Sequence, residues 1–193
     1  MATTIAAPPR ASLPRDPGRD SGPGPAQSGA NRTGVLLGLA AISMMFIGLT
    51  SAYVVSQGLS PLWKQVHLRP LIGADTAILL CSSYTMEQAR RRTSFRWLMG
   101  TLFLGLAFLA GQLGVFRQLA SEGLYLSTGR QASFYYVLAG LHGVHILGGI
   151  MALAWTAVRM KRSLKTSSRL ELTSLYWHFM DGLWLYLLLV IFA

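Results

Sequence analysis

The chain has 193 residues, 52% of them hydrophobic and only 12% charged, whereas soluble domains carry roughly 25% charge. The apolar residues stand in long blocks rather than at helix or strand period, which argues against an ordinary soluble globule. The net charge of +10 would suit a nucleic-acid partner, but its 17 Lys and Arg are distributed along the chain in another pattern.

Residues 1–33 hold six of the eight prolines, many Gly and Ser, and no apolar run. Such a segment cannot bury enough surface to fold, and a disordered tail is expected there. No secretory signal core is visible in it. From 34 to 193 five blocks approach the length of about 20 mostly apolar residues that crosses a hydrocarbon core about 30 Å thick. They are 34–56, 71–88, 97–116, 134–158 and 175–192. Without water to satisfy backbone amides, each is expected to be a helix, and the blocks are too long for barrel strands. The expected fold is therefore all-α, an integral membrane bundle of five transmembrane helices behind a disordered N-terminal tail. The second block is the most polar, with Asp75, Thr76, Ser82, Ser83 and Thr85.

The charges support five crossings. The tail holds Arg10, Arg15, Arg19 and Arg32; the second loop region holds Arg90, Arg91, Arg92 and Arg96; the fourth holds Arg159, Lys161, Arg162, Lys165 and Arg169. The alternate compartment holds only Lys64, Arg69, Arg117 and Arg130. Of the 17 cations, 13 fall on one side and 4 on the other. That is the positive-inside pattern, with the N-terminus cytoplasmic and the C-terminus outside. Cys81 is the single cysteine, so no intramolecular disulfide is possible.

Ionisable residues within oily runs are the main handle on function, since each costs about 2.5–3.5 kcal/mol or more at a bilayer centre. The fourth block reads Leu141-His142-Gly143-Val144-His145-Ile146-Leu147-Gly148-Gly149. Leu138, His142, His145, Gly149 and Ala152 follow one helix face, and the glycines allow close approach by a neighbour. The fifth reads Tyr176-Trp177-His178-Phe179-Met180-Asp181-Gly182-Leu183-Trp184. Ser174, His178, Asp181, Leu185 and Leu188 share a face there, with Trp177 and Trp184 one residue to the side. Asp181 lies at i+3 from His178, where side chains can meet, and is expected to pair with it or with a donor on a neighbouring helix.

Imidazoles in a membrane can ligate haem, copper or iron, or they can be buried packing residues. Depth separates the two. At 1.5 Å per residue, His142 lies roughly 13 Å from the outer end of its helix, His145 near the middle, and His178 and Asp181 roughly 5–10 Å from the inner end of theirs. Asp75 lies about 6 Å from the outer surface by the same measure. A metal needs its ligands to converge, so this stagger favours packing. No repeat, phosphate loop, CxxC or zinc spacing accompanies these residues.

These motifs resemble subunit III of the haem–copper oxidases, the cytochrome c oxidase family. His142-Gly143-x-His145 with Gly148-Gly149 resembles the family's penultimate helix, and Tyr176-Trp177-His178-Phe179-x-Asp181-x-x-Trp184 its last. Asp75-Thr76-Ala77-Ile78-Leu79-Leu80-Cys81-Ser82-Ser83 is similar to an Asn-Thr-x-x-Leu-x-x-Ser-Ser segment, with Asp75 where Asn is usual. Gly48-Leu49-x-x-Ala52-Tyr53 resembles the end of the first core helix, and Trp97-Leu98 to Gln112 fits less specifically. The resemblance covers 34–193 and is closest to the short bacterial form with five spans. Ile42 stands where many members carry a membrane Glu.

The resemblance implies an accessory subunit with no redox centre of its own, haem and copper lying in partner subunits. It implies packing against catalytic subunit I and other oxidase subunits, lipid held in clefts, support of proton uptake and turnover stability, and no nucleic acid. It implies a multi-pass protein of the bacterial inner (plasma) membrane. Asp75, His142, His145, Trp177, His178, Asp181 and Trp184 would serve packing, lipid binding or proton-uptake support, with no catalytic or metal-ligating residue. Related subunits serve quinol oxidases and nitric-oxide reductases. Two other classes compete: a membrane metalloprotein using His142, His145 and His178, and a small proton-coupled transporter using Asp75 and Asp181. Duplicated halves or broken helices, the usual marks of a transporter, are not apparent.

Overall fold

The computed structural model of the chain describes residues 25–57, 69–121, 123, 130–162 and 167–192. They form five α-helices: α1 (Pro25–Gln57), α2 (Arg69–Arg92), α3 (Phe95–Ser121), α4 (Arg130–Lys161) and α5 (Ser167–Phe192). There is no strand among the described residues.

The first boundary differs from expectation. Residues 25–33, expected in the tail, are helical. Pro25 opens the helix, where a missing N–H is harmless and the fixed φ is already helical. The rest of the expected tail, residues 1–24, lies outside the described residues.

Helices α1, α3, α4 and α5 are long and apolar enough to cross a membrane. Helix α2 has the length, about 36 Å for its 24 residues at 1.5 Å each, but not the hydropathy. Its polar residues explain the difference, and they are not scattered. Ile72, Asp75, Leu79, Ser82, Met86 and Ala89 are buried along one seam, while Cys81 on the opposite side is exposed. The buried line of α3 runs Leu98, Thr101, Gly105, Phe108, Gln112, Val115 and Leu119. Alternating steps of three and four are the signature of helices packed nearly parallel, side chains of one fitting between those of the next.

Helices α2, α3, α4 and α5 form a closed ring, each touching the next and α5 touching α2. Helix α1 lies outside the ring in the groove between α4 and α5. Most of its apolar side chains, including Leu37, Met44 and Val55, face outward. Across α1 the contacts are Phe46 against His142 and His145, Tyr53 against Phe134, and Thr50 Oγ1 to the Tyr186 hydroxyl at 2.9 Å.

Helices α2 and α3 form a hairpin with a two-residue connection. Thr93 takes a left-handed φ of 46°, and Ser94 N–H reaches back to the Ala89 carbonyl at 3.4 Å. This is the helix-ending motif that usually carries Gly at the Thr93 position. A β-branched residue there is strained. The hairpin tolerates it because both helices are pinned further along, by Thr85 to Thr101 at 2.9 Å and by Asp75 to Gln112 at 2.6 Å.

The Trp177 side chain of α5 reaches across the ring to Gly105 on α3. A Cβ added at Gly105 would stand 2.7 Å from the Trp177 ring, so only Gly lets the indole lie there. Gly105→Leu should therefore destabilise the chain by about 1–3 kcal/mol, the usual penalty for overpacking. Denaturant titration in detergent would show it. Gly48→Leu, where nothing stands near the added Cβ, should change little.

Candidate functional site

The candidate site is the interior of the ring, where the polar residues of α2 meet the aromatic residues of α5. Trp177 is fully buried, and its Nε1–H donates to Ser82 Oγ at 2.8 Å. Its ring fills the space left by Gly105 on α3 and Gly149 on α4, where an added Cβ would lie 2.7 and 3.1 Å away. Two turns on, Trp184 Nε1–H donates to Thr76 Oγ1 at 3.2 Å. The same indole stacks on His142 with centroids 5.2 Å apart and meets Phe108 edge-on at 5.3 Å. Ser83 Oγ lies 2.7 Å from His178 Nδ1. Thr76 pairs with Trp184, and Ser82 and Ser83 two turns on pair with Trp177 and His178 two turns back, the register of antiparallel neighbours.

This arrangement redraws the expected faces. On α5 the buried line is Ser174, Trp177, Asp181, Trp184 and Leu187, with His178 half-buried and Leu185 exposed. The indoles are central and His178 lies at the edge. On α4 the seam is Leu138, His142, Ile146, Gly149, Leu153 and Ala157. His145 is half-buried and Ala152 is exposed. Steps of three and four can follow either of two adjacent faces, and packing chose the one one residue over.

Each imidazole has different surroundings. His142 is fully buried among Phe46, Phe108 and Trp184, with no hydrogen bond to either ring nitrogen. His145 Nδ1 donates to the Leu141 carbonyl one turn back at 2.7 Å. The Tyr176 hydroxyl donates to the His145 carbonyl at 2.9 Å, tying α5 to α4. His178 reaches Ser83 on one side and Glu87 on the other, Nε2 lying 3.9 Å from Oε2. Glu87 in turn holds Arg90 and Arg91 at 2.7 and 2.5 Å, an exposed cluster whose pairs contribute little stability. Among the described residues, no three His, Cys, Asp or Glu side chains gather as a metal would require.

The two buried carboxyls are held differently. Asp75 accepts from Gln112 Nε2 at 2.6 Å. Its carboxyl presses into the space beside Gly111, where any added Cβ would collide with it. Asp181 is buried, and neither oxygen makes a hydrogen bond. The expected His178–Asp181 pairing is not formed, since the imidazole turns to Ser83 and Glu87 instead.

Gln112, Glu87 and Ser83 are the site residues that sequence reasoning left without a role. Gln112 was legible in principle, as an amide in an apolar run with spacing to Phe108 and Val115. Glu87 was hidden beside the arginine run, where a helix-end charge looks like an anchor.

Five packed helices, four of them apolar enough to cross a bilayer, with polar side chains turned inward, define a multi-pass helical membrane protein. The family profile described as cytochrome c oxidase subunit III matches residues 25–193, and the chain belongs to that family. It is 30% identical over 174 residues to a probable cytochrome c oxidase subunit 3 of Nocardia farcinica, covering 82% of this chain and 85% of the relative. It is 33% identical over 174 residues to cytochrome c oxidase subunit 3 of Synechocystis, covering 82% and 73%. A probable quinol oxidase subunit 3 of Staphylococcus aureus is 33% identical over 133 residues, covering 64% and 66%.

The two buried aromatic groups should respond differently to substitution. Trp177→Ala empties the centre of the ring and should cost about 3–5 kcal/mol. Trp177→Phe mainly removes the bond to Ser82 and should cost about 0.5–1.5 kcal/mol. His142→Phe removes two unpartnered nitrogens at similar shape, so stability should hold or rise. Melting of the three variants in one detergent would rank them, and a His142→Phe loss as large as that of Trp177→Ala would contradict this account.

Proposed function

We propose that this chain is the accessory subunit III of a bacterial respiratory haem–copper terminal oxidase, carrying no redox centre itself. It packs on the catalytic subunit and supports proton uptake, lipid binding and stability during oxygen reduction. The observation that carries the proposal is the meeting of the family's two motifs. Thr76, Ser82 and Ser83 on α2 are the hydrogen-bond partners of Trp184, Trp177 and His178 on α5. The motif residues therefore support a packing role: they set the spacing and register of the ring.

Helix α2 is the fifth crossing in this reading. What supports it is its length and its inward polar seam, together with its antiparallel register against α3 and α5. The positive-inside distribution supports a cytoplasmic N-terminus and Arg90–Arg92 turn and a C-terminus outside. The outward apolar side chains of α1 suit lipid or a partner's helices. A second reading has a specific support in the Staphylococcus aureus relative: the oxidase served takes electrons from quinol instead of cytochrome c.

Affinity purification of a tagged chain from its native membrane tests the assembly. The expected product is a multi-subunit complex with a haem absorption band, and its preference for reduced cytochrome c or for quinol decides between the two donors. A haem-free homo-oligomer would favour the transporter class. Reporter fusions at Ala193 should be active only for an external enzyme such as alkaline phosphatase. A cytoplasmic reporter signal would remove α2 from the set of spans.

A further inference from the structure

We propose that Asp75 and Gln112 form an acid–amide clasp closed by one proton, which fastens α2 to α3 at the end of the hairpin far from its turn. Both side chains are buried, each 3% exposed, and Gln112 Nε2–H donates to Asp75 Oδ2 at 2.6 Å. That bond leaves one oxygen over on each group, Asp75 Oδ1 and Gln112 Oε1. Both are buried, and neither has a hydrogen-bond partner. With the carboxyl ionised both are acceptors only, so neither can serve the other. One proton on Oδ1 changes the count. The acid O–H then donates to Oε1 while Nε2–H donates to Oδ2. The terminal torsion of a Gln side chain is broad, so the amide can turn to face the carboxyl for both bonds. A single proton thereby satisfies two buried acceptors and removes a buried charge.

The surroundings supply neither a countercharge nor enough donors. Among the described residues the ion pairs are those of Glu87, and Asp75 takes part in none. Helix α2 packs there against α3 and α5. On α3, Arg117 is exposed and Arg96 stands at the opposite end of the helix. On α5, the bond from Trp184 to Thr76 sets the level. Beyond it the Tyr186 hydroxyl is engaged by Thr50 of α1 at 2.9 Å, and His178 and Asp181 lie on the other side of Trp184, toward the hairpin turn. On α4, Tyr135 meets Phe116 of α3 edge-on with centroids 6.3 Å apart, and its buried hydroxyl has no partner. That one hydroxyl could serve one of the two oxygens and would leave the other bare. The α3 backbone at Gly111, against which the carboxyl presses, closes one side of Oδ1.

The pair is therefore a site for one bound proton, and its occupancy sets how firmly the hairpin is held. Loss of the proton leaves a carboxylate oxygen and an amide oxygen bare in one apolar interior, and the clasp loosens. The proton is a fastener that stays in place between two helices of this chain. The clasp is independent of which oxidase the chain serves.

The test uses the full-length chain in detergent, by infrared spectroscopy and by denaturant titration. A carboxylic-acid C=O band that Asp75→Asn abolishes should be present at about pH 5, above the ordinary Asp value of about 3.9. Gln112→Leu should keep that band and move it to higher wavenumber, because the carbonyl loses its donor. Asp75→Asn carries its own N–H donor and needs no proton. Folding of the wild type takes up a proton that the unfolded carboxylate does not hold, so its stability falls as pH rises. Relative to Asp75→Asn, its folding constant should drop about tenfold per pH unit above about pH 4.5, until the native acid ionises and the ratio levels. A ratio that is flat or rises with pH wherever both chains stay folded overturns the proposal. So does the absence at about pH 5 of any band lost in Asp75→Asn, the result expected of an ionised carboxylate bridged by water. A band that Gln112→Leu leaves unmoved overturns the clasp as well.

Discussion

A polar group in hydrocarbon has no water to fall back on, so every hydroxyl, amide and indole N–H on these helices must find its partner within the protein. That constraint organises the bundle. Threonines and serines that face no partner helix bond to their own backbone one turn back, as Ser43 does to the Leu39 carbonyl. Those that face inward bond across the ring. Two tryptophans on α5 need donors satisfied, and Ser82 and Thr76 on α2 supply the acceptors. Association of helices in lipid has no hydrophobic driving force of its own, so these cross-helix bonds, together with close packing, hold α2 against α5.

Close packing is the second half of the same constraint. Dispersion contacts are short-ranged, and they are strongest where backbones or rings can approach without a Cβ between them. Gly105 and Gly149 let the Trp177 ring lie across the centre of the ring of helices. Gly111 makes room for the Asp75 carboxyl against α3. Elsewhere the glycines are unremarkable: Gly48, Gly114 and Gly182 have nothing near an added Cβ. A handful of small residues therefore sets the distances between helices, and the bulky aromatics fill what remains. Helix α1 lends this interior Phe46, against His142 and His145, and most of its apolar side chains face outward.

Among the described residues several groups escape the rule, the Tyr135 hydroxyl included, and two of them differ. His142 carries unpartnered nitrogens in a fully aromatic cage. Its role is that of a flat ring stacked on Trp184, so an apolar ring can replace it. Asp181 carries an unpartnered carboxyl. A group that can gain a proton has a way to remove the cost that a shape-filling ring lacks. Buried groups left unsatisfied in a native interior call for an explanation, and holding a proton is the one open to a carboxyl but not to a packing ring.

The sequence by itself determined the class and the number of helices. Long apolar blocks in a bilayer admit helices only, and the blocks are long enough to be counted without knowing how they pack. It also singled out candidate residues: ionisable and indole side chains in oily runs stand out because each is costly there. It could not determine which face of α5 turns inward. That helix is apolar nearly all round, so no stripe separates inside from outside, and spacing allowed His178 and Leu185 the place that Trp177 and Trp184 take. Nor could it determine partners. His178 and Asp181 are neighbours on one helix, but helix α2 brought Ser83 and Glu87 closer to the imidazole. The start of α1 at Pro25 was equally hidden, because a polar first turn has no apolar signal to read. Partners and faces depend on what stands across the gap, and only the packed tertiary structure brings that residue into place.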